Sequence, residues 1–255
     1  MINEPFIDFK GRNVIVTGAS SGIGRAISIQ LSRCGATVVL IGRNRERLEE
    51  TAAQLATRDP YVVCLDLTLH SEIVPKIRAL SKEIGRIYGL CHCAGIVETR
   101  PLSSYKIEGL NAMMDINVTA GIELARVICR RDIMEETGGS ILFVSSIYGH
   151  VGMPGQIVYS ASKGAISAAA RAMAMELARR NIRVNIISPG LIRTPMVEES
   201  FSKLSADQVK KIEESFPLGI GRPEDVAKAA CFLLAPQSRW ITGIDMVVDG
   251  GYTAQ

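Results

Sequence analysis

Nowhere in the 255 residues is there an unbroken apolar run of eighteen or more, so no segment is expected to cross a membrane as a helix. Dense lysine and arginine blocks are missing as well, and 29 basic against 26 acidic side chains leave a net charge of +3. That balance is too even for a nucleic-acid surface, and no aromatic residues interleave with basic ones as they would on one. Histidine is scarce. Beyond Cys91-His92-Cys93 there are only His70 and His150 to complete a zinc site. Strand alternation, moreover, sends the two thiols to one face and the imidazole to the other. No metal is expected. The six cysteines fall in apolar segments and read as small buried side chains, not a disulfide framework. The opening stretch Met1 to Lys10 carries Glu4 and Asp8 without the basic start and apolar stretch of a leader, so a cytoplasmic protein is expected. Linkers, repeats and low-complexity tracts are absent too, and the length suits a single domain over residues 1–255.

What is present is a steady alternation of short apolar runs and longer helical patterns. Strands are expected at Asn13 to Thr17, Thr37 to Ile41, Val62 to Leu65, Gly89 to Cys93, Ile141 to Ser145, Val184 to Ile187 and Met246 to Val248. Helices are expected at Gly22 to Cys34, Arg45 to Ala56 and Tyr159 to Arg179. Continuous Val/Ile/Leu runs suit strands covered on both faces, and helices between them supply right-handed crossovers. The fold class expected is α/β, a Rossmann-type doubly wound parallel sheet flanked by helices. Residues 191–217 fit this rhythm least well, being polar and broken by Pro195 and Pro217. Because they follow a strand end they are a candidate substrate lid, or else a surface helical excursion.

Between the first strand and the first helix runs Thr17-Gly18-Ala19-Ser20-Ser21-Gly22-Ile23-Gly24. Glycines there allow a sharp turn and close approach to a pyrophosphate, which the following helix receives on free N–H groups. Gly18, Ser20, Ser21, Gly22, Ile23 and Gly24 are therefore expected against a dinucleotide. The nucleotide is indicated by the end of the second strand. Binders of NAD usually place Asp or Glu there, whereas this chain has Ile41-Gly42-Arg43-Asn44-Arg45 before its first carboxylate, Glu46. A guanidinium grips a 2′-phosphate with charge-assisted hydrogen bonds. NADP(H) is the expected cofactor, with Arg43 as main contact and Asn44 beside it; the plainer alternative makes Arg43 and Arg45 solvated helix-start residues.

Tyr159 has Lys163 four residues later, a spacing that stacks both on one helical face. An ammonium about 4 Å from a phenol contributes on the order of 4 kcal/mol at an effective dielectric of about 20, enough to lower the phenol by up to about three pH units. Such a pair can give a proton to a carbonyl or take one from an alcohol. Ser146, thirteen residues earlier at the end of a strand, can hold the substrate oxygen as an oxyanion hole does.

Taken together, Thr17 to Gly24, Asn117, Ser146, Tyr159 with Lys163, Pro189-Gly190 followed by Thr194, and the tail Val248-Asp249-Gly250-Gly251 resemble the short-chain dehydrogenase/reductase family in order and spacing, from about residue 10 to 253. The resemblance implies that Ser146 orients substrate, Tyr159 is the general acid/base, and Lys163 also binds the nicotinamide ribose. It implies that Asn117 holds a water relaying protons from Lys163; taken alone, Asn117 is an unremarkable helix-interior amide. Asp66-Leu67 resembles the adenine-contacting pair, and Ile187 to Thr194, with Pro189, Gly190, Ile192 and Thr194, the segment holding the carboxamide. After the fourth strand the family usually has Asn-Asn-Ala-Gly, and this chain has His92-Cys93-Ala94-Gly95. Ala94 and Gly95 keep the backbone near the ribose, but the support that the asparagines give must be arranged differently.

Within the family the 3-oxoacyl-acyl-carrier-protein reductase group is the most similar. Arg180 falls at a carrier-docking position of that group, but the second basic position is replaced by Glu135-Glu136-Thr137. The expected partner is a small-molecule or acyl-thioester substrate, with a sugar or small-alcohol dehydrogenase and a non-catalytic NADP-sensing regulator as alternatives. Tyr148, His150 and Met153 are expected to line the substrate pocket. A homotetramer is implied by the resemblance, with a dimer as the alternative.

Overall fold

The seven Val/Ile/Leu-rich runs become the strands of one parallel sheet in the computed structural model, which describes residues 7–57 and 60–254. The first six residues, part of the stretch inspected above for a leader, lie outside the described residues. The strands are β1 (Asn13–Thr17), β2 (Thr37–Gly42), β3 (Tyr61–Cys64), β4 (Gly89–His92), β5 (Gly139–Val144), β6 (Ile182–Pro189) and β7 (Asp245–Val248). Their order is β3-β2-β1-β4-β5-β6-β7, so the chain winds outward from β1 in one direction and restarts on its other side at β4. Such a reversal leaves a crevice beyond the carboxyl ends of β1 and β4.

Both faces of the sheet are covered, which is why its strands read as unbroken apolar runs. Ile15, Val39, Ile41, Leu90, Ile141 and Phe143 point into one layer. There they meet α3 (His70–Ile84), α5 (Ala120–Ile128) and α6 (Ile157–Leu177). Their neighbours Val14, Val16, Val38, Leu40, Cys91 and Leu142 point into the other layer, against α1 (Gly22–Arg33) and α9 (Pro223–Leu234). Cys91 and Cys93 pack in that second layer, while the His92 ring lies edge-on to Phe143, 6.2 Å between centroids. Alternation along β4 thus separates thiols from imidazole as expected.

The remaining helices are α2 (Arg45–Ala52), α4 (Ile107–Met114), α7 (Pro195–Phe201) and α8 (Ala206–Glu214). The second helix is shorter than its charge pattern suggests. Gln54 and Leu55 donate to carbonyls three residues back, at Thr51 and Ala52, and the Ala56 amide is drawn to the Ser32 hydroxyl of α1 at 3.0 Å. Competing bonds from a neighbouring helix therefore unwind its last turn. A second departure matters more for the site. Asp115–Thr119 forms a π turn between α4 and α5, a widened turn of the kind often found at functional sites. Among the described residues no helix is long and apolar enough to cross a membrane.

Candidate active site

The crevice at the strand ends is a cleft of about 620 Å³. Gly18, Ser20, Ser21, Gly22, Ile23 and Gly24 line it from the β1–α1 loop, Arg43 from the end of β2, and Asp66 and Leu67 from beyond β3. Ala94 and Gly95 follow β4, Ser146 follows β5, and Pro189, Gly190, Ile192 and Thr194 come from the end of β6 onward. Tyr159 and Lys163 of α6 complete the wall. Two of the residues expected against the cofactor or in the chemistry stand back from it. The Asn44 side chain caps α2, accepting the Arg47 amide at 2.9 Å, and Asn117 is buried behind the wall at 2% exposure.

The glycine loop is packed against the loop after β4 and against itself with no room to spare. Gly18 has φ of +64°, and a Cβ there would stand 2.9 Å from the Ala94 nitrogen. At Gly24 a Cβ would run into the Gly18 carbonyl. At the start of α1, Ser21 makes no side-chain cap bond and no acidic residue occupies the first turn. The free N–H groups and the positive end of the helix dipole are therefore left for an anion at the cleft. Thr17 then ties the two facing loops together: its Oγ1 accepts from the amides of Cys93 and Ala94, both at 3.1 Å. A pyrophosphate on the loop and a ribose beside Ala94 and Gly95 fit this cradle.

Residue 92 holds the departure from the family pattern, and its surroundings explain how the support is arranged. Nδ1 lies 3.0 Å from Thr17 Oγ1 and Nε2 lies 3.3 Å from the Ile116 carbonyl. A carbonyl only accepts, so Nε2 carries the proton and Nδ1 accepts from the Thr17 hydroxyl. One consistent chain of hydrogen bonds runs from the π turn through the imidazole and Thr17 to the amides of the loop after β4. Burial, with the nearby Lys163 charge adding to it, pushes the imidazole down to about 4, against the opposing bond to Ile116. It is neutral at physiological pH.

Asn117 sits on that π turn. Its Nδ2 donates to the Ile96 carbonyl at 3.0 Å and to Ser162 Oγ at 2.9 Å, and its Oδ1 accepts from the Ile96 amide at 2.8 Å. The amide thus clamps the loop after β4 to α6. The residues alone read here as plain helix; the resemblance marks residue 117, and the widened turn sets its amide against the loop after β4.

At the reacting end, Ser146 follows β5 and its Oγ accepts from the Tyr148 amide at 3.2 Å. Lys163 is buried, with its Nζ 5.6 Å from the centre of the Tyr159 ring and donating to the Val144 carbonyl at 2.8 Å. The expected acidification of the phenol is not found in the polypeptide itself. Burial pushes Tyr159 up to about 12, with a hydrogen bond to Ser146 pulling the other way, and burial pushes Lys163 down to about 8. Desolvation leads both shifts, and in each it disfavours the charged form. At neutral pH the pair is a phenol and an ammonium.

Tyr148 lines the cleft as expected, whereas His150 and Met153 do not. The short turn Ile147–Gly149 carries the imidazole of His150 away, to 2.9 Å from Asp245 Oδ2 and 3.2 Å from Ser188 Oγ, and Met153 is 44% exposed. In their place the cleft takes residues that the motifs did not signal: Ile96, Val97 and Thr99 after β4, Gln156 ahead of α6, and Met196 and Phe201 of α7. Only their position beyond strand ends hinted at them.

Comparison with known proteins bears on the whole chain. Residues 18–253 match the family profile described as enoyl-(acyl carrier protein) reductase. The chain is 34% identical over 247 residues to a 3-oxoacyl-(acyl-carrier-protein) reductase of Thermotoga maritima, across 95% of this chain and 98% of that protein. It is 35% identical over 237 residues to carbonyl reductase family member 4 of Xenopus laevis, across 92% of this chain and 95% of that one. The crystal structure of a short-chain type dehydrogenase/reductase from Mycobacterium marinum superposes with a TM-score of 0.89 at 33% identity, covering 97% of this chain and 98% of that chain. A doubly wound sheet, a glycine cradle at its switch point and a Ser/Tyr/Lys cluster across the same cleft agree with these likenesses: the chain belongs to the short-chain dehydrogenase/reductase family, oxidoreductases that act on carbonyls and alcohols with a nicotinamide dinucleotide.

Proposed function

We propose that the protein is an NADP(H)-dependent carbonyl reductase whose substrates are 3-oxoacyl thioesters or similar ketones. The observation that carries the cofactor choice is Arg43, whose side chain lines the cleft at the end of β2 with no carboxylate at residues 41–45. Asp66, across the same end of the cleft, is held ionised chiefly by hydrogen bonds from the Thr68 amide and hydroxyl, with a further contribution from the Arg43 charge. The β1–α1 loop and the start of α1 would hold the pyrophosphate, Arg43 the 2′-phosphate, Lys163 the nicotinamide ribose, and the segment from Pro189 to Thr194 the carboxamide. Bound there, the dinucleotide supplies or accepts the hydride. Ser146 holds the carbonyl oxygen, Tyr159 donates the proton to it, and Lys163 keeps a positive charge beside the phenol as that proton leaves.

The likenesses to a 3-oxoacyl-(acyl-carrier-protein) reductase and to a carbonyl reductase support the substrate class. So does the apolar wall made by Ile96, Val97, Met196, Val197 and Phe201, which offers a sugar few hydrogen bonds. Residues 191–217 carry α7, whose inner face lines the cleft, and act in this reading as a lid. Trp240 at 90%, Met175 at 79% and Val247 at 40% exposure leave apolar surface near β7 and α6 for assembly into a homotetramer.

The test is NADPH and NADH oxidation with an acetoacetyl thioester. Arg43→Ala raises KM for NADPH about 10- to 100-fold, the loss of a charge-assisted phosphate contact, while KM for NADH changes far less. Equal effects on both cofactors defeat the assignment, and absence of turnover with ketone or thioester substrates defeats the reductase reading.

A further inference from the structure

Gln156 immediately precedes α6, three residues before Tyr159, and lines the same cleft. It is 9% exposed. Its Nε2 donates to Thr99 Oγ1 at 2.7 Å, and its Oε1 is buried without a hydrogen-bond partner. A buried amide oxygen left unpaired is costly and calls for a reason. The surroundings are rigid enough to hold it in place. The Arg100 amide donates to the Gly155 carbonyl at 2.9 Å, and the Tyr105 hydroxyl donates to the same carbonyl at 3.2 Å and to Glu98 O at 3.1 Å. The loop carrying Thr99 is thereby pinned to the loop carrying Gln156. Because a threonine hydroxyl both donates and accepts, the amide can meet Thr99 through either end and turn the other toward a ligand.

We propose that Gln156, steadied by Thr99, is a specificity-determining residue that hydrogen-bonds a second oxygen function of the substrate, β to the carbonyl being reduced. The inference rests on the reductase reading of the cleft and goes further by naming the residue that recognises the substrate's second oxygen. Residues three apart at a helix start have Cβ atoms about 5–6 Å apart, so an amide at 156 and a phenol at 159 can reach neighbouring oxygens of one substrate. Along a wall that is otherwise Ile96, Val97, Met196 and Phe201, the amide and the Thr99 hydroxyl mark where that oxygen belongs.

The experiment compares three ketones of equal carbon skeleton: acetylacetone, the corresponding β-hydroxyketone, and the monoketone without the second oxygen. The wild-type enzyme prefers the oxygenated ketones in kcat/KM by at least about tenfold, and Gln156→Leu collapses that ratio mainly through KM. Thr99→Val lowers the ratio less. Gln156→Glu, which offers only acceptors when ionised, keeps the hydroxyketone preference and loses that for the diketone. NADPH binding by fluorescence checks that each variant is folded. A preference that survives in the leucine variant, or a wild-type enzyme indifferent to the second oxygen, overturns the proposal. Calorimetric binding of the same ketones yields the same ratio without turnover, so an enzyme that binds them selectively but reduces none of them sinks the reductase reading and leaves the subsite standing.

Discussion

Tyr159→Phe lowers kcat for ketone reduction by about a thousandfold or more, while the dissociation constant for NADPH stays within a few-fold. The phenyl ring fills the same space, so the change removes one hydroxyl and with it the proton donor of the proposed mechanism, a contribution typically worth about 100- to 10,000-fold. The direction of the pH dependence follows from the same pair. With the phenol pushed up to about 12, the donor remains protonated through the whole working range, and reduction does not fall through its ionisation. Lys163, pushed down to about 8, loses its charge above that pH, and reduction declines there. Oxidation of the alcohol needs the phenolate and rises with pH across the same interval. Stopped-time assays in both directions between pH 6 and 9 (a range set by these two groups) read out the effect. A phenylalanine variant that keeps a tenth of wild-type turnover would remove Tyr159 from the chemistry.

Thermal stability of the wild-type protein falls between pH 7 and pH 5 by an amount that His92 dominates. In the folded chain this imidazole is pushed down to about 4 from an ordinary 6.5. Below pH 6.5 the unfolded chain takes up a proton that the folded one refuses, so stability is full above that pH and is lost as pH falls toward 4. The whole shift corresponds to about 3 kcal/mol, and about 2 kcal/mol of it is gone at pH 5. Asp66, Glu123, Asp132 and Asp249, all held below their ordinary values, contribute at lower pH still. His92→Asn, which has no proton to gain, flattens the curve between pH 7 and 5 even if it is less stable overall. Denaturant titrations at the two pH values give the comparison, and parallel losses in both proteins would show that the imidazole is not the group responsible.

Much of this is legible in the sequence. The strands show in the sequence because the inner ones are buried on both faces, so apolar residues dominate them, while β3 and β7 at the sheet edges are only partly covered; every run lands in the sheet within a residue or two. The glycine loop, Arg43, Ser146, Tyr159 and Lys163 lie in stretches where spacing alone puts them at strand ends or on one helical turn. What the residues conceal is anything decided by competition between distant partners. Nothing in Asp115-Ile116-Asn117 announces a π turn, because the bond that His92 makes to Ile116 comes from another strand. His150 follows Ser146 closely enough to suggest the pocket, yet Asp245 on β7 draws it elsewhere. An ammonium at ideal distance would acidify the phenol, and burial, which no spacing reveals, reverses the sign.

Gly121 in α5 has its own bearing on residue 92. A Cβ at that position would stand 2.8 Å from Cδ2 of the imidazole and 3.2 Å from Cε1 of Phe143, so helix and ring share a single allotment of space. Substitutions at these two sites are consequently order-dependent. An alanine at 121 is tolerated only after the ring at 92 has given way to something smaller, and a lineage that enlarged the helix first would pass through a protein with the tie between Thr17 and Ile116 displaced. The bare backbone of one helix thus keeps the space that the imidazole at residue 92 occupies.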